Sequence, residues 1–484
     1  MPRHRLTTRL ILAATLTVWP FDPVGRTVSV AADLTVRNAV DFSVTATDNL
    51  DLDPSGQEQS ALVTTVTGLT NVRRQADRLD LALDAALSLD TIAADGLELR
   101  LRPYLLGSGT AELVEDRLFV DATASSQRLL FDVGGRYSNN DISGRGSRAN
   151  VQSFSFSPYL VQRFGPWADA ELRYRHAQTF YEGEDFDDSR SELLRLSART
   201  GNAFTRGSLS GLAEYEDDTG GGRSGDLQRS TATLSAEIGL IRELALLGTI
   251  GYEKIDTTRF DEYPDGPIWN VGILARPSPR TELRFTYGQR YGDDDIESSL
   301  RWRVTPRWTA RAAYGMSLQT TQRSFERGEL IVDPETGALI EDRTGLPIDL
   351  ADPGLGLEND VFIAKRLDAS LIGEYSRDRF IFSGLNEKRD FRAGLDETIS
   401  GAGATWTHAL TPQINLLTSV TYRQSEVETG TISNDTITGI VQVSQRLAPD
   451  VVARAALSRA QRMADRSGDE YTENALTLGV RIGF

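Results

Sequence analysis

The sequence predicts an all-β chain closed into a single large antiparallel transmembrane β-barrel of about 20–22 strands, with short periplasmic turns and long extracellular loops. Three observations predict it. Apolar and polar residues alternate with a period of two in segment after segment, and tight turns punctuate the chain at regular spacing. Beyond the N-terminus, no stretch is apolar enough for a membrane helix, which leaves a closed barrel as the way to pair every backbone amide in lipid.

Residues 1–32 read as a removable export signal. Arg3, Arg5 and Arg9 give a positive start, Leu10 to Trp19 is an apolar run, and Ser29-Val30-Ala31-Ala32 offers small residues for cleavage. The run falls short of the roughly 20 apolar residues that a spanning helix needs. Residues 33–484 then form the barrel. Losing the signal removes four arginines and Asp22, so the formal charge moves from −17 to −20. Nucleic acid is thereby excluded as a partner, because binding it takes a basic footprint. The sequence has no cysteine, and its histidines are His4, His176 and His408. That leaves little for a disulfide framework, a thiolate metal site or a Ser/His/Asp triad, so no catalytic residue, metal or cofactor is expected.

The alternation comes next. Leu79, Leu81, Leu83, Ala85, Leu87 and Leu89 interleave with Asp80, Ala82, Asp84, Ala86, Ser88 and Asp90. Leu97, Leu99 and Leu101 alternate with Glu98, Arg100 and Arg102; Ala170, Leu172 and Tyr174 alternate with Asp169, Glu171, Arg173 and Arg175. Leu283, Phe285 and Tyr287 alternate with Arg284 and Thr286. Side chains along a strand point to opposite faces in turn, so each segment has one apolar wall and one charged or small wall.

Ten tight turns follow, near Asp77, Glu115, Gly165-Pro166, Arg206, Arg242-Glu243, Pro279, Pro306, Arg377, Pro412 and Pro449. Proline suits such places because there it removes no ladder donor. The other connections read as longer, acidic and glycine-rich: 182–189, 217–225, 256–266, 293–295 and 425–435, with 324–357 much the longest. Ten turns give twenty strands, and an opening strand near Val36 to Ala46 with the closing one gives 22. The closing segment alternates cleanly: Leu476, Leu478, Val480, Ile482 and Phe484 share a face, and Phe484 ends it. A last strand ending on phenylalanine resembles the signal read by barrel-assembly machinery, the expected partner alongside outer-membrane lipid. A soluble propeller or stacked sandwich also alternates, but it does not need strands this long or loops sided by length.

Charged residues on the polar wall are the candidates for the lumen: Glu98, Arg100, Arg102, Asp169, Glu171, Arg173, Arg175, Arg284, Arg301 and Arg303. Ordinary wetting of a wide lumen explains them, and a selectivity surface for charged or sugar-like solutes is the sharper alternative. Trp167, Trp269, Trp308, Tyr252, Tyr287 and Tyr422 suit headgroup depth. The acidic runs 184–188 and 293–295 lack the spaced ligands of a calcium loop. Gly220 to Gly225 precedes no helix, so it reads as a hairpin connection rather than a phosphate cradle. A barrel of 22 strands is about 40 Å across, too wide for side chains to fill. Loop 324–357 is therefore expected to fold partly inward and narrow the lumen.

Several phrases carry a resemblance: Thr110 to Ala122, Ser155 to Leu160, Arg163 to Tyr174, and Asn359 to Phe362 leading into Lys365-Arg366-Leu367. They resemble the PEP-CTERM (exosortase) system-associated outer-membrane barrel family, across most of residues 33–484. The resemblance implies a Gram-negative outer membrane and a polysaccharide or sorting context, with exopolysaccharide or its export proteins as partners; it implies no site residue. The expected function is a non-enzymatic channel or guide for polymer. A general diffusion porin and a structural barrel closed by its loops are the rivals, and a barrel-embedded hydrolase comes last.

Overall fold

A computed structural model describes residues 34–484, apart from 131–134, 139, 141, 145–147, 183–187, 221–224, 259–264, 320–329, 333–338, 342–360, 392–394, 428–431 and 466–467. The expected signal, residues 1–32, lies outside the described residues. The strands run β1 (Leu34–Thr47), β2 (Ala61–Ala76), β3 (Leu79–Ala93), β4 (Leu97–Val114), β5 (Leu118–Leu130), β6 (Arg148–Arg163), β7 (Ala168–Tyr181) and β8 (Ser189–Thr200). They continue as β9 (Gly207–Thr219), β10 (Leu227–Ile241), β11 (Leu244–Thr257), β12 (Gly266–Ser278), β13 (Thr281–Arg290), β14 (Asp293–Thr305) and β15 (Trp308–Gln319). A small separate pair, β16 (Leu330–Val332) and β17 (Leu339–Glu341), precedes β18 (Phe362–Glu374), β19 (Asp378–Asp390), β20 (Glu397–Thr411), β21 (Ile414–Val427), β22 (Ile432–Ala448), β23 (Val451–Ala464) and β24 (Tyr471–Gly483).

Twenty-two of these strands form one antiparallel sheet in which each pairs with its neighbours in the chain. The sheet closes where β1 meets β24, with Phe42 opposite Val480, Val44 opposite Leu478 and Ala46 opposite Leu476. Closure removes the free edge that an open sheet would present to lipid. Strand lengths, from 10 residues in β13 to 18 in β4, cover the 9–11 needed to cross a bilayer obliquely.

All ten expected short turns are present on one rim. Six carry a register shift beside them, at Glu112/Val114, Gly239/Ile241, Ala275/Ser278, Arg303/Thr305, Ala409/Thr411 and Arg446/Ala448. A bulge at the hairpin end adds local twist, which helps a wide sheet curve closed. By analogy with outer-membrane barrels this rim is periplasmic and the opposite one outer.

The outer rim departs from the expectation of uniformly long connections. Asp293 to Asp295 are the opening of β14, not a loop. Tyr291 (φ 55°) and Gly292 (φ 73°) form a two-residue turn with both φ positive, and Arg290 pairs directly with Asp293. The acidic composition hid it, because Tyr-Gly is a weak turn signal compared with Asn-Gly. Most of 425–435 likewise belongs to β21 and β22. Two ladders are partial: β4 and β5 pair only below Leu105 and Ser126, and β14 and β15 only below Ser298 and Tyr314. Loop 324–357 lies outside the described residues except for the β16–β17 pair.

Candidate functional site

The lumen is built by one residue in two from each strand, and ladder register identifies that face. Around the ring, burial deepens toward the outer rim. At the outer ends, Val63, Ile92, Thr179, Leu193, Glu216, Leu227, Glu253, Glu387, Ile399, Thr438 and Glu473 are almost wholly removed from solvent. At the periplasmic ends of the same face, Thr35, Arg37, Asp80, Arg199, Ser208, Arg284, Arg301, Arg303, Arg446 and Arg481 are exposed. On most strands the inner-wall side chains are shielded from solvent in the outer half and open to it in the periplasmic half; on β4 the outermost residue, Glu98, is exposed.

Charge in the dry half is closely compensated. Arg229 reaches three carboxylates, Glu214, Glu216 (3.1 Å) and Glu253 (3.2 Å), and Arg290 adds a second cation on Glu253 at 3.0 Å. Arg366 holds Asp368 at 2.9 Å and Glu387 at 3.3 Å, while Arg389 holds the other Glu387 oxygen at 2.7 Å. A buried charge without such partners would cost several kcal/mol, so the carboxylates on β9, β11, β18 and β19 imply the arginines beside them.

The ten sequence-selected residues all fall on the inner face, but they do not form one site. Asp90, fully buried on β3, is gripped by Arg100 (2.8 Å) and Arg102 (2.6 Å) and accepts from Thr65 at 2.8 Å. Glu98 stands exposed at the outer end of β4, the strand that carries Arg100 and Arg102. Arg173 bridges Glu171 (2.8 Å) and Asp121 (2.6 Å) and lies 3.8 Å over the Tyr159 ring, itself stacked on Phe119. Asp169 meets Arg199 at 3.4 Å, and Arg175 is half-buried above them. Arg284, Arg301 and Arg303 sit apart, exposed, on β13 and β14. Arg100 and Arg102 spend donors on a buried carboxylate across the β3–β4 ladder, the cross-strand pairing that accompanies ordinary wetting of a wide lumen.

The elements that fill the outer lumen on the seam side are ones the sequence reading passed over. Connection 48–60 folds inward and buries Leu50 against Val63, Ile92 and Ile142, and Leu52 against Ala460 and Tyr471. Leu52 takes a positive φ of 58° to do so. Asn49 fixes the bend: its amide donates to the carbonyls of Asp53 (2.7 Å) and Thr472 (3.1 Å), and its oxygen accepts from the Asp53 amide. At the exposed tip, the Glu58 and Gly56 amides hold the Glu58 carboxyl below its usual pKa. Glu473 on β24 then accepts from Thr47 (2.8 Å), Ser138 (2.5 Å), Asn140 (2.7 Å) and Ser143, clasping the β5–β6 connection to the seam. The Tyr471 hydroxyl donates to the Tyr137 carbonyl at 2.5 Å. The available signal was Leu50 and Leu52 in an otherwise polar connection: apolar residues there need somewhere to go.

The outward face is apolar and exposed along the spanning segments, including Val44, Leu99, Leu172, Leu234, Ile250, Val271, Phe285, Val441, Leu476 and Leu478. Val480, Ile482 and Phe484 continue that face at the periplasmic end, where the Phe484 amide donates to the Asn38 carbonyl at 2.9 Å. Near the same rim Trp308 packs with Tyr375, Phe380 and Phe382, and Trp406 stacks on Phe380. Trp167 meets Phe204 beside its turn. Trp269 and Tyr287 form the corresponding pair toward the outer rim, with Tyr252 nearby and Tyr422 bonded to Asp435. Aromatic belts at both ends of an apolar band mark the two water interfaces. His176 and His408 also lie outside the lumen, His176 facing Glu192 and His408 bonded to Asp378 at 2.7 Å. A closed ring with such a belt is a transmembrane barrel of the bacterial outer-membrane type.

No family model and no curated protein matches the chain. Among solved structures it is similar to the siderophore receptor PirA from Acinetobacter baumannii, at 10% identity over 93% of this chain and 80% of that one, with a TM-score of 0.49. It is also similar to PirA from Pseudomonas aeruginosa, at 9% identity over 93% and 80%, TM-score 0.47. A loop-deletion form of OmpT, an outer membrane protein of Vibrio cholerae, is similar at 10% identity over 93% of this chain and all of that one, TM-score 0.33.

Proposed function

We propose that this chain is a non-enzymatic outer-membrane conduit that guides polymer outward in exopolysaccharide export associated with the PEP-CTERM (exosortase) system. The observation that carries the reading is the split lumen: water reaches the periplasmic half of the inner wall and is excluded from the outer half. A cargo from the periplasm meets an open vestibule first and a clasped outer end second. The clasp opens by releasing Glu473 from Ser138, Asn140 and Ser143, which leaves the ladders intact. The polysaccharide context rests on the family resemblance of Thr110 to Ala122 and Arg163 to Tyr174. Hydrolysis in the lumen has no histidine base to draw on, because both histidines of the barrel face outward.

Planar-bilayer recording with and without purified polysaccharide tests this. The expected result is low resting conductance that rises in Glu473→Ala and is blocked by polymer added on the periplasmic side. Steady conductance indifferent to polymer would point to a diffusion porin. A channel silent in both forms would point to a structural barrel closed by its loops, which the dry outer half also favours.

A further inference from the structure

Three exposed arginines stand together at the periplasmic end of β13 and β14, whereas Arg37 on β1 and Arg446 on β22 are exposed singly. Arg173, Arg195, Arg229, Arg290, Arg366, Arg389 and Arg454 each have a carboxylate at ion-pair distance. Arg284, Arg301 and Arg303 have none among the described residues, and all three are exposed to the vestibule. Glu282, opposite Arg301, is already held by Arg276 at 2.8 Å, and Glu297 lies one inner-face position beyond Ser299, the partner of Arg284. On the other side Arg301 faces Arg311 across the β14–β15 ladder. The arc from β3 to β8 is different: at the same depth it carries Asp80, Asp84, Asp121, Asp169 and Glu171 on its inner face.

We propose that Arg284, Arg301 and Arg303 form an anion-binding strip on the periplasmic half of the lumen that docks the carboxylate or phosphate groups of an acidic polysaccharide. The strip deepens the conduit reading and rests on it for the polymeric nature of the ligand. Neighbouring strands stand about 4.8 Å apart and alternate residues along a strand about 7 Å apart, so the three guanidinium groups present a row rather than a single point. A row suits a repeating anion, and guanidinium forks suit carboxylate and phosphate oxygens better than ammonium groups do.

The test uses the full barrel in lipid nanodiscs, with polygalacturonate, uncharged dextran and pyrophosphate as probes. Polygalacturonate is expected to bind and dextran not to. The triple variant Arg284→Gln, Arg301→Gln, Arg303→Gln should weaken polygalacturonate about tenfold or more, and the binding should fall steeply with salt. Arg199→Gln changes the net charge in the same sense on the β8 wall and should leave binding unchanged. The triple arginine-to-lysine variant keeps the charge and should retain part of the affinity. Because the chain has no cysteine, Arg303→Cys supplies a single thiol; an impermeant thiol reagent should reach it from the periplasmic side, and polygalacturonate should slow that labelling. Equal loss in Arg199→Gln and the triple glutamine variant, or no loss in either, overturns the strip. Pyrophosphate binding that the triple variant abolishes, without any polygalacturonate binding, upholds the anion strip and overturns its polymeric ligand, and with it the conduit reading.

Discussion

The outer and periplasmic halves of the lumen are lined from the same strands with much the same residue types, yet they behave as different solvents. In the outer half Arg229 and Arg389 are buried with carboxylates on several sides; in the periplasmic half Arg173 and Arg199 make similar pairs within reach of water. An ion pair is worth what its surroundings make it. In the dry half it is an obligation, since losing one partner strands the others, whereas water covers the loss in the wet half.

Arg229→Ala should therefore have the largest effect, costing about 3–5 kcal/mol in a denaturant titration of the lipid-embedded barrel, because three carboxylates lose their shared cation. If Arg173→Ala costs as much, the contrast between the halves is wrong; about 1 kcal/mol is expected there. Leu50→Ala should cost about 2–4 kcal/mol of loop docking, since it empties a fully buried pocket. Hydrogen exchange at residues 49–53 should accelerate while the strands stay protected, and unchanged exchange would mean that the inward fold does not depend on this contact. The smallest effect belongs to the turn pair Arg78–Glu115, both partners exposed at the periplasmic rim: Arg78→Ala should change stability by less than about 1 kcal/mol.

Which parts were legible in the sequence follows from the same contrast. Alternation is a local property enforced by lipid on one side, so Leu79 to Leu89 and Leu476 to Phe484 announce their strands and their outward face directly. Six of the ten turns were legible through proline or glycine, and the other four, such as Arg242-Glu243, through charged residues that break the alternation. The halving of the lumen was not, because burial of Glu473 depends on Ser143, 330 positions away, and Arg100, which grips Asp90, donates to the Ile142 carbonyl 42 positions on. Arg100 and Arg301 look alike in sequence; one closes on a dry carboxylate while the other is left facing water and another arginine. The Tyr291-Gly292 turn escaped for a different reason: three aspartates after it mimic a solvated loop while actually running up a strand.

The seam has a consequence for how the molecule comes together. Thr45 and Thr477 share a hydrogen bond of 2.8 Å although 432 positions separate them. Every other ladder can zip between neighbours in the chain, while this one waits for the first and the last strands to find each other, at a much larger cost in chain entropy. Glu473 sits on the late-arriving strand, so the outer end is sealed only after the circle is joined. The Glu473 hydrogen bonds to the β5–β6 connection therefore form only once the two ends of the chain have met, which makes the outer clasp the last part of the molecule to be built.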